Sequence, residues 1–122
     1  MSINSAIPGG STTIRNSTFR NNEATDLGVE VGGAIHVADD TAVRIVGSQF
    51  FANSGMRGGA ILIAGNASAM IVGSDIVSNT ALTVGGGIYT GIGATLVVST
   101  STFHANRAIS GVDCSTAPRQ RR

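Results

Sequence analysis

Seven carboxylates, two imidazoles and one thiol are the groups in this 122-residue chain whose types allow catalysis or metal binding. The acids are Glu23, Asp26, Glu30, Asp39, Asp40, Asp75 and Asp113. Carboxylate chemistry around Ca²⁺ needs acids gathered on adjacent elements, and proton abstraction needs a basic partner beside them. Only Asp39 and Asp40 are neighbours, in "ADDTA", where a solvated turn is the expected role. His36 in "AIHVA" aligns with Leu62 and Tyr89 and so has no ligand partner in its own column, and His104 lies beside the Phe103 corner; both read as ordinary surface imidazoles. Cys114 is the only cysteine. It has no disulfide partner and no local base to activate it. No catalytic residue, cofactor or metal is expected.

Composition narrows the class further. The charged fraction is 12%, about half of the ~25% usual in globular domains, while 42% of residues are apolar. Few charges with many apolar groups argue against disorder. All eight basic side chains are Arg, three of them in the terminal "PRQRR", which leaves five Arg against seven acids elsewhere. A nucleic-acid-binding domain concentrates basic residues on one face, and this chain does not, so no nucleic acid is expected. No apolar run approaches the ~20 residues that span a bilayer, so no membrane insertion is expected. The opening "MSINSAIPGG" shows no signal peptide.

The elements that would position any site are announced by repetition. Gly-Gly pairs begin at Gly32, Gly58 and Gly85, at spacings of 26 and 27 residues. Asn53, Asn79 and Asn106 keep the same spacings. Three residues before each stands Phe50, Ile76 or Phe103, and two before that Ser48, Ser74 or Ser101. Ser17, Phe19 and Asn22 form an earlier copy, followed by the longer "NEATDLGVEV". Within each copy the apolar residues alternate with period 2, as in "AVRIVGSQF", and no 3.6-residue period is present. Two or three short strands per copy, stacked on the same strands of the next copy, make a parallel β-solenoid of about four coils.

Stacking turns equivalent positions into columns. Ile14, Ile45, Ile71 and Val98 form one inward column, Phe19, Phe50, Ile76 and Phe103 a second, and Ile35, Ile61 and Ile88 a third. Gly32, Gly33, Gly58, Gly59, Gly85 and Gly86 are expected at a corner that a Cβ would obstruct. Asn22, Asn53, Asn79 and Asn106 are expected to form a structural ladder. Asn79→Ala should then cost roughly 1–3 kcal/mol.

The same alignment assigns the outer faces. At the Asp39-Asp40 corner the later copies offer Gly65-Asn66 and Ile92-Gly93, so no acid column forms. His36, Leu62 and Tyr89 line one outer face. Thr13, Arg44, Met70 and Val97 line another, beside Arg15, Val46, Val72 and Ser99. Of these, Arg44, Val46, Met70, Val72 and Val97 form the candidate contact face, because clustered exposed apolar groups tend to mark interfaces. A regular Thr-x-Thr array of the kind that binds ice is missing. "NST" at 16–18 and "NAS" at 66–68 are sequons that arise easily in such a composition.

"GGAI" at 32–35 and 58–61, "GGGI" at 85–88, and "FRNN", "FFAN", "IVSN" and "FHAN" ending at 22, 53, 79 and 106 alternate in one register. This pattern resembles the polymorphic outer-membrane protein repeat named from chlamydial surface proteins. The resemblance implies an all-β, right-handed single-stranded parallel β-helix without a catalytic site, serving adhesion at the cell surface or outside it. It also implies a protein or glycan surface partner. The organisation expected is an N-terminal segment over 1–10, a repeat domain over 11–112 and a basic, disordered tail over 113–122. The termini contain no amphipathic helix to serve as a cap, so self-stacking through uncapped ends is a further expected partnership. The alternative reading is a fragment of a carbohydrate-binding or polysaccharide-cleaving, pectate-lyase-like β-helix.

Overall fold

The computed structural model describes residues 2–3, 11–24 and 32–109. Its elements are all short strands. The first pass of the chain gives β1 (Ser2–Ile3), β2 (Ser11–Arg15), β3 (Thr18–Arg20) and β4 (Glu23–Ala24). The second gives β5 (Ile35–Val37), β6 (Ala42–Val46), β7 (Gln49–Phe51) and β8 (Ser54–Arg57). The third gives β9 (Ile61–Ile63), β10 (Ser68–Val72), β11 (Asp75–Val77) and β12 (Thr80–Val84). The fourth gives β13 (Ile88–Thr90), β14 (Thr95–Ser99), β15 (Thr102–His104) and β16 (Arg107–Ala108).

Each strand pairs in parallel with its counterpart in the neighbouring pass, giving four stacks of four strands. The register is the one the repeat announces: Ile14 opposite Ile45, Ile45 opposite Ile71 and Ile71 opposite Val98. Phe19, Phe50, Ile76 and Phe103 are likewise opposite one another in the third stack. Ile35, Ile45, Phe50, Ile61, Ile71, Ile76 and Ile88 have no accessible surface, so the interior is a pile of similar apolar layers. The Phe19 and Phe50 rings stack within 3° of parallel with centroids 4.9 Å apart. No single pass encloses this core; each covers the next.

Four strands per pass, rather than two or three, is a correction to the sequence reading. The fourth, exemplified by β8, reads Ser-Gly-Met-Arg and carries no β-branched alternation. Its inward positions are the small residues Ala24, Gly55, Ala81 and Ala108, aligned through the fourth stack. The change of spacing from 26 to 27 also has a location. Gly58 lies five positions after Asn53, and Gly85 six positions after Asn79. The extra one is absorbed as an irregularity between Ala81 and Val84 of β12, a bulge that leaves the rest of the register intact.

Among the described residues, the left-handed region recurs at the corners. Between the second and third stacks it is adopted by Asn16, Gly47, Gly73 and Thr100, with φ of 48°, 60°, 57° and 48°. Asn and Gly tolerate that conformation, whereas a β-branched Thr is strained there. Thr100→Asn is therefore expected to stabilise the fold by about 1 kcal/mol. A urea midpoint at or below that of the parent chain would count against stored strain at this corner.

Candidate functional site

The asparagines form a continuous directional ladder. Asn22 donates from its backbone N–H and Nδ2 to Asn53 Oδ1, at 3.0 and 2.9 Å. Asn53 does the same to Asn79, and Asn79 to Asn106, all at 2.9–3.0 Å. Each Nδ2 from Asn53 onward also donates to a carbonyl of the preceding pass, those of Phe19, Phe50 and Ile76. Asn53 and Asn79 are buried at 1% and 0% exposure, yet every polar atom they carry is engaged. Their chemistry is spent on holding the turn, which is what a buried amide requires.

A second ladder runs beside it, which the sequence reading recorded only as a repeated letter. The backbone N–H groups of Ser17, Ser48 and Ser74 donate to the Oγ of Ser48, Ser74 and Ser101. Each hydroxyl in turn donates to a carbonyl two residues back, as from Ser48 to Val46 and from Ser74 to Val72. Ser at period 26–27 next to a left-handed corner was the available signal.

Close approach explains the glycines. Gly58 and Gly85 have φ of 73° and 71°. At Gly33 and Gly59 the space a Cβ would need is filled by the carbonyl oxygen of the equivalent glycine one pass on. At Gly86 a Cβ would instead meet the Arg107 backbone at 2.5–2.8 Å. At Gly32 a Cβ would meet the Leu62 backbone nitrogen at 2.5 Å.

On the outside, the candidate contact face lies on the second stack, where Thr13, Arg44, Met70 and Val97 are opposite one another in register. Met70 is 39% and Val97 47% exposed, whereas Val46 and Val72 are half-buried. The Arg44 Nη1 lies 3.6 Å from the Met70 Sδ, so the guanidinium flanks the apolar pair. Thr13, Arg44, Met70 and Val97 border a shallow depression of about 400 Å³.

The first stack is covered where the sequence suggested an exposed row. Leu62 is only 3% exposed, and His36 and Tyr89 are half-buried. Arg57 reaches from β8 across the corner to this face, donating to the Tyr89 hydroxyl at 3.0 Å with its guanidinium carbon 5.2 Å from the ring centroid. Burial holds the His36 pKa below its ordinary value, and Asp39 opposes this with a smaller, raising influence. Below the unfolded value of 6.5 the unfolded chain takes up a proton that the folded chain resists, so stability contributed at neutral pH is lost as pH falls through 6.5 toward the folded pKa. His36→Leu is expected to remove this part of the acid sensitivity, read as a smaller drop in urea midpoint between neutral and mildly acidic buffer.

A depression of about 320 Å³ on the third stack went unnoticed in the sequence. Phe51 is 42% exposed there, with the Arg20 guanidinium carbon 5.7 Å from its ring centroid. Thr18, Gln49, Phe50, Asp75 and Val77 complete the border. The doubled aromatic in "FFAN" was the signal, since the other copies place Arg20, Val77 and His104 at that position.

The remaining chemistry-bearing groups stay apart. Asp39 and Asp40 are exposed in their turn, Asp40 with a φ of 60°. Among the described residues no three His, Cys, Asp or Glu side chains gather as a metal-ligand set. Asn16 and Asn66 of the two sequons are exposed at corners. Asp26, Glu30, Asp113, Cys114 and the Arg-rich tail lie outside the described residues, as do most of the 1–10 segment and of "NEATDLGVEV".

Comparison with known proteins agrees with this geometry. No curated protein and no solved structure matches the chain. A family model does, that of the right-handed beta helix region, and it covers residues 4–119. Four parallel stacks, one interior and a family match over nearly the whole sequence lead to one assignment: the chain belongs to the right-handed beta-helix family.

Proposed function

We propose that this chain is a non-catalytic repeat scaffold that makes structural or adhesive contacts through the outer face of its second stack. One observation carries the reading: Met70 and Val97 stand exposed side by side on a regular sheet, flanked by Arg44. Exposed apolar groups in a row lose water on contact with a partner, and the neighbouring charge gives that contact direction. The partner class that fits is a protein surface with an apolar patch and an acidic rim. Adhesion at a cell surface is the setting in which such a face would act.

The test is attachment of beads bearing the chain to immobilised extracellular-matrix proteins, with Met70→Arg and Val97→Arg variants alongside. Attachment is expected for the parent chain and at least a tenfold loss for either variant, equivalent to ~1.4 kcal/mol. Equal attachment by all three would end the proposal.

The Phe51 depression favours a second reading, glycan binding. A sugar ring can lie on an exposed aromatic face while Gln49, Asp75 and Arg20 supply acceptors and donors for hydroxyl groups. Phe51→Ala would then abolish retention on immobilised oligosaccharide and leave matrix-protein attachment unchanged. Release of shortened oligosaccharides from the same material would instead favour a polysaccharide-cleaving enzyme.

A further inference from the structure

The ladders have a direction, and it makes the two ends of the stack unlike and complementary. Each Asn accepts on Oδ1 from the pass before it and donates through its N–H and Nδ2 to the pass after it. Asn22 therefore ends the row as an acceptor: it gives its donors to Asn53, while no described residue donates to its own Oδ1. Asn106 ends the row as a donor. Its Oδ1 takes both bonds from Asn79 and one Nδ2 hydrogen goes to the Ile76 carbonyl, while among the described residues nothing accepts from its backbone N–H or its second Nδ2 hydrogen. The serine row repeats this polarity. Ser17 Oγ donates to the Arg15 carbonyl and can still accept, while Ser101 supplies Oγ to Ser74 and its own backbone N–H has no acceptor among the described residues.

The apolar groups and the strand edges agree with the ladders. Val98 and Phe103 are 39% and 37% exposed, although Ile45, Ile71, Phe50 and Ile76 in the same columns are fully buried. At the other end Phe19 is half-buried, with Phe50 stacked on one side. Thr102 and His104 direct backbone groups to the third pass, bonding Ser74 and Ser78. By the alternation of a parallel ladder, Phe103 turns its N–H and C=O outward. Thr18 and Arg20 are turned outward at the opposite end by the same rule, because Ser17 and Asn21 bond the second pass.

We propose that this chain associates head to tail with further copies of itself, the β14–β16 edge of one copy adding in register to the β2–β4 edge of the next. Asn106 would donate to Asn22 Oδ1 of the second copy and Ser101 N–H to its Ser17 Oγ, with Phe103 covering Phe19. The contact is heterologous, so it propagates into open rows instead of closing as a symmetric dimer. It goes beyond the lateral-contact reading and does not depend on it.

Sedimentation of the 122-residue chain over a wide concentration range tests the proposal, with Phe103→Arg and Asn22→Arg blocking one end each. Both positions are exposed, so circular dichroism should be unchanged. The parent chain is expected to grow in mass with concentration and each variant to stay monomeric. An equimolar mixture of the two should form dimers and stop there, since it holds one matched pair of ends. Met70→Arg, which disables the lateral face, should associate like the parent. A parent chain that is monomeric throughout, a mixture that does not dimerise, or association lost only in Met70→Arg would overturn the proposal. Hydrogen exchange of the unmodified chain provides a readout free of variants. The amides of Ser101, Phe103 and Asn106 should slow as concentration rises, and unchanged rates would count equally against it.

Discussion

Gly59→Ala is expected to destabilise the whole stack by about 3 kcal/mol or more, the upper end of what overpacking costs. The added methyl would overlap the Gly86 carbonyl oxygen and stand 2.6 Å from the Thr80 backbone nitrogen and 2.8 Å from its carbonyl carbon. All three are backbone atoms of the next pass, so no side chain can rotate aside. They are also tied: Gly59 N–H donates to Gly85 at 2.9 Å and Ala60 N–H to Gly87 at 2.8 Å. Relief would require parting the corner and with it the hydrogen bonds that hold consecutive passes. Gly73→Ala is the matched control. Nothing lies within 4 Å of its Cβ position, and only its φ of 57° opposes the change. That should cost about 1 kcal/mol. Chemical denaturation followed by circular dichroism reads both, and equal losses would show that close approach at the corner is not what excludes a side chain.

Asn79→Ala is expected to cost about 3 kcal/mol, at the top of the range for buried hydrogen-bonding groups, because it orphans donors and acceptors together. Losing Oδ1 strands the Asn53 N–H and one Nδ2 hydrogen inside the turn. Losing Nδ2 deprives the Phe50 carbonyl and removes one donor from Asn106 Oδ1. Asn22→Ala serves as the comparison. Asn22 is exposed and receives no ladder bond on its Oδ1, so its removal should cost under about 1 kcal/mol. Amide exchange adds a local readout: the Asn53 N–H should exchange much faster in the Asn79 variant, while the Ile71 amide in the neighbouring stack changes only with global stability. Similar losses at positions 22 and 79 would mean that the ladder contributes through local turn preference and not through burial.

The spacings of the glycines, serines and asparagines determined the stacked architecture, the register and the three apolar columns. They could do so because a solenoid places every residue over its counterpart, so a column in space is a period in the chain. Even the extra residue between Asn79 and Gly85 appears in the sequence as a spacing of 27 and in the structure as a bulge. The tertiary structure decided what letters do not encode. Ser54–Arg57 became a strand through its neighbours, Ala24 and Ala81, because its own residues lack strand character. Leu62 is buried although its row alternates outward, whereas Phe51 on the third stack remains open. The left-handed turns are shared by Asn16, Gly47, Gly73 and Thr100, three residue types with no common letter, since the path of the backbone imposes the angle. The direction of the Asn and Ser ladders belongs here too: the same amide is donor and acceptor in the sequence, and only contact with the passes before and after assigns each atom its partner.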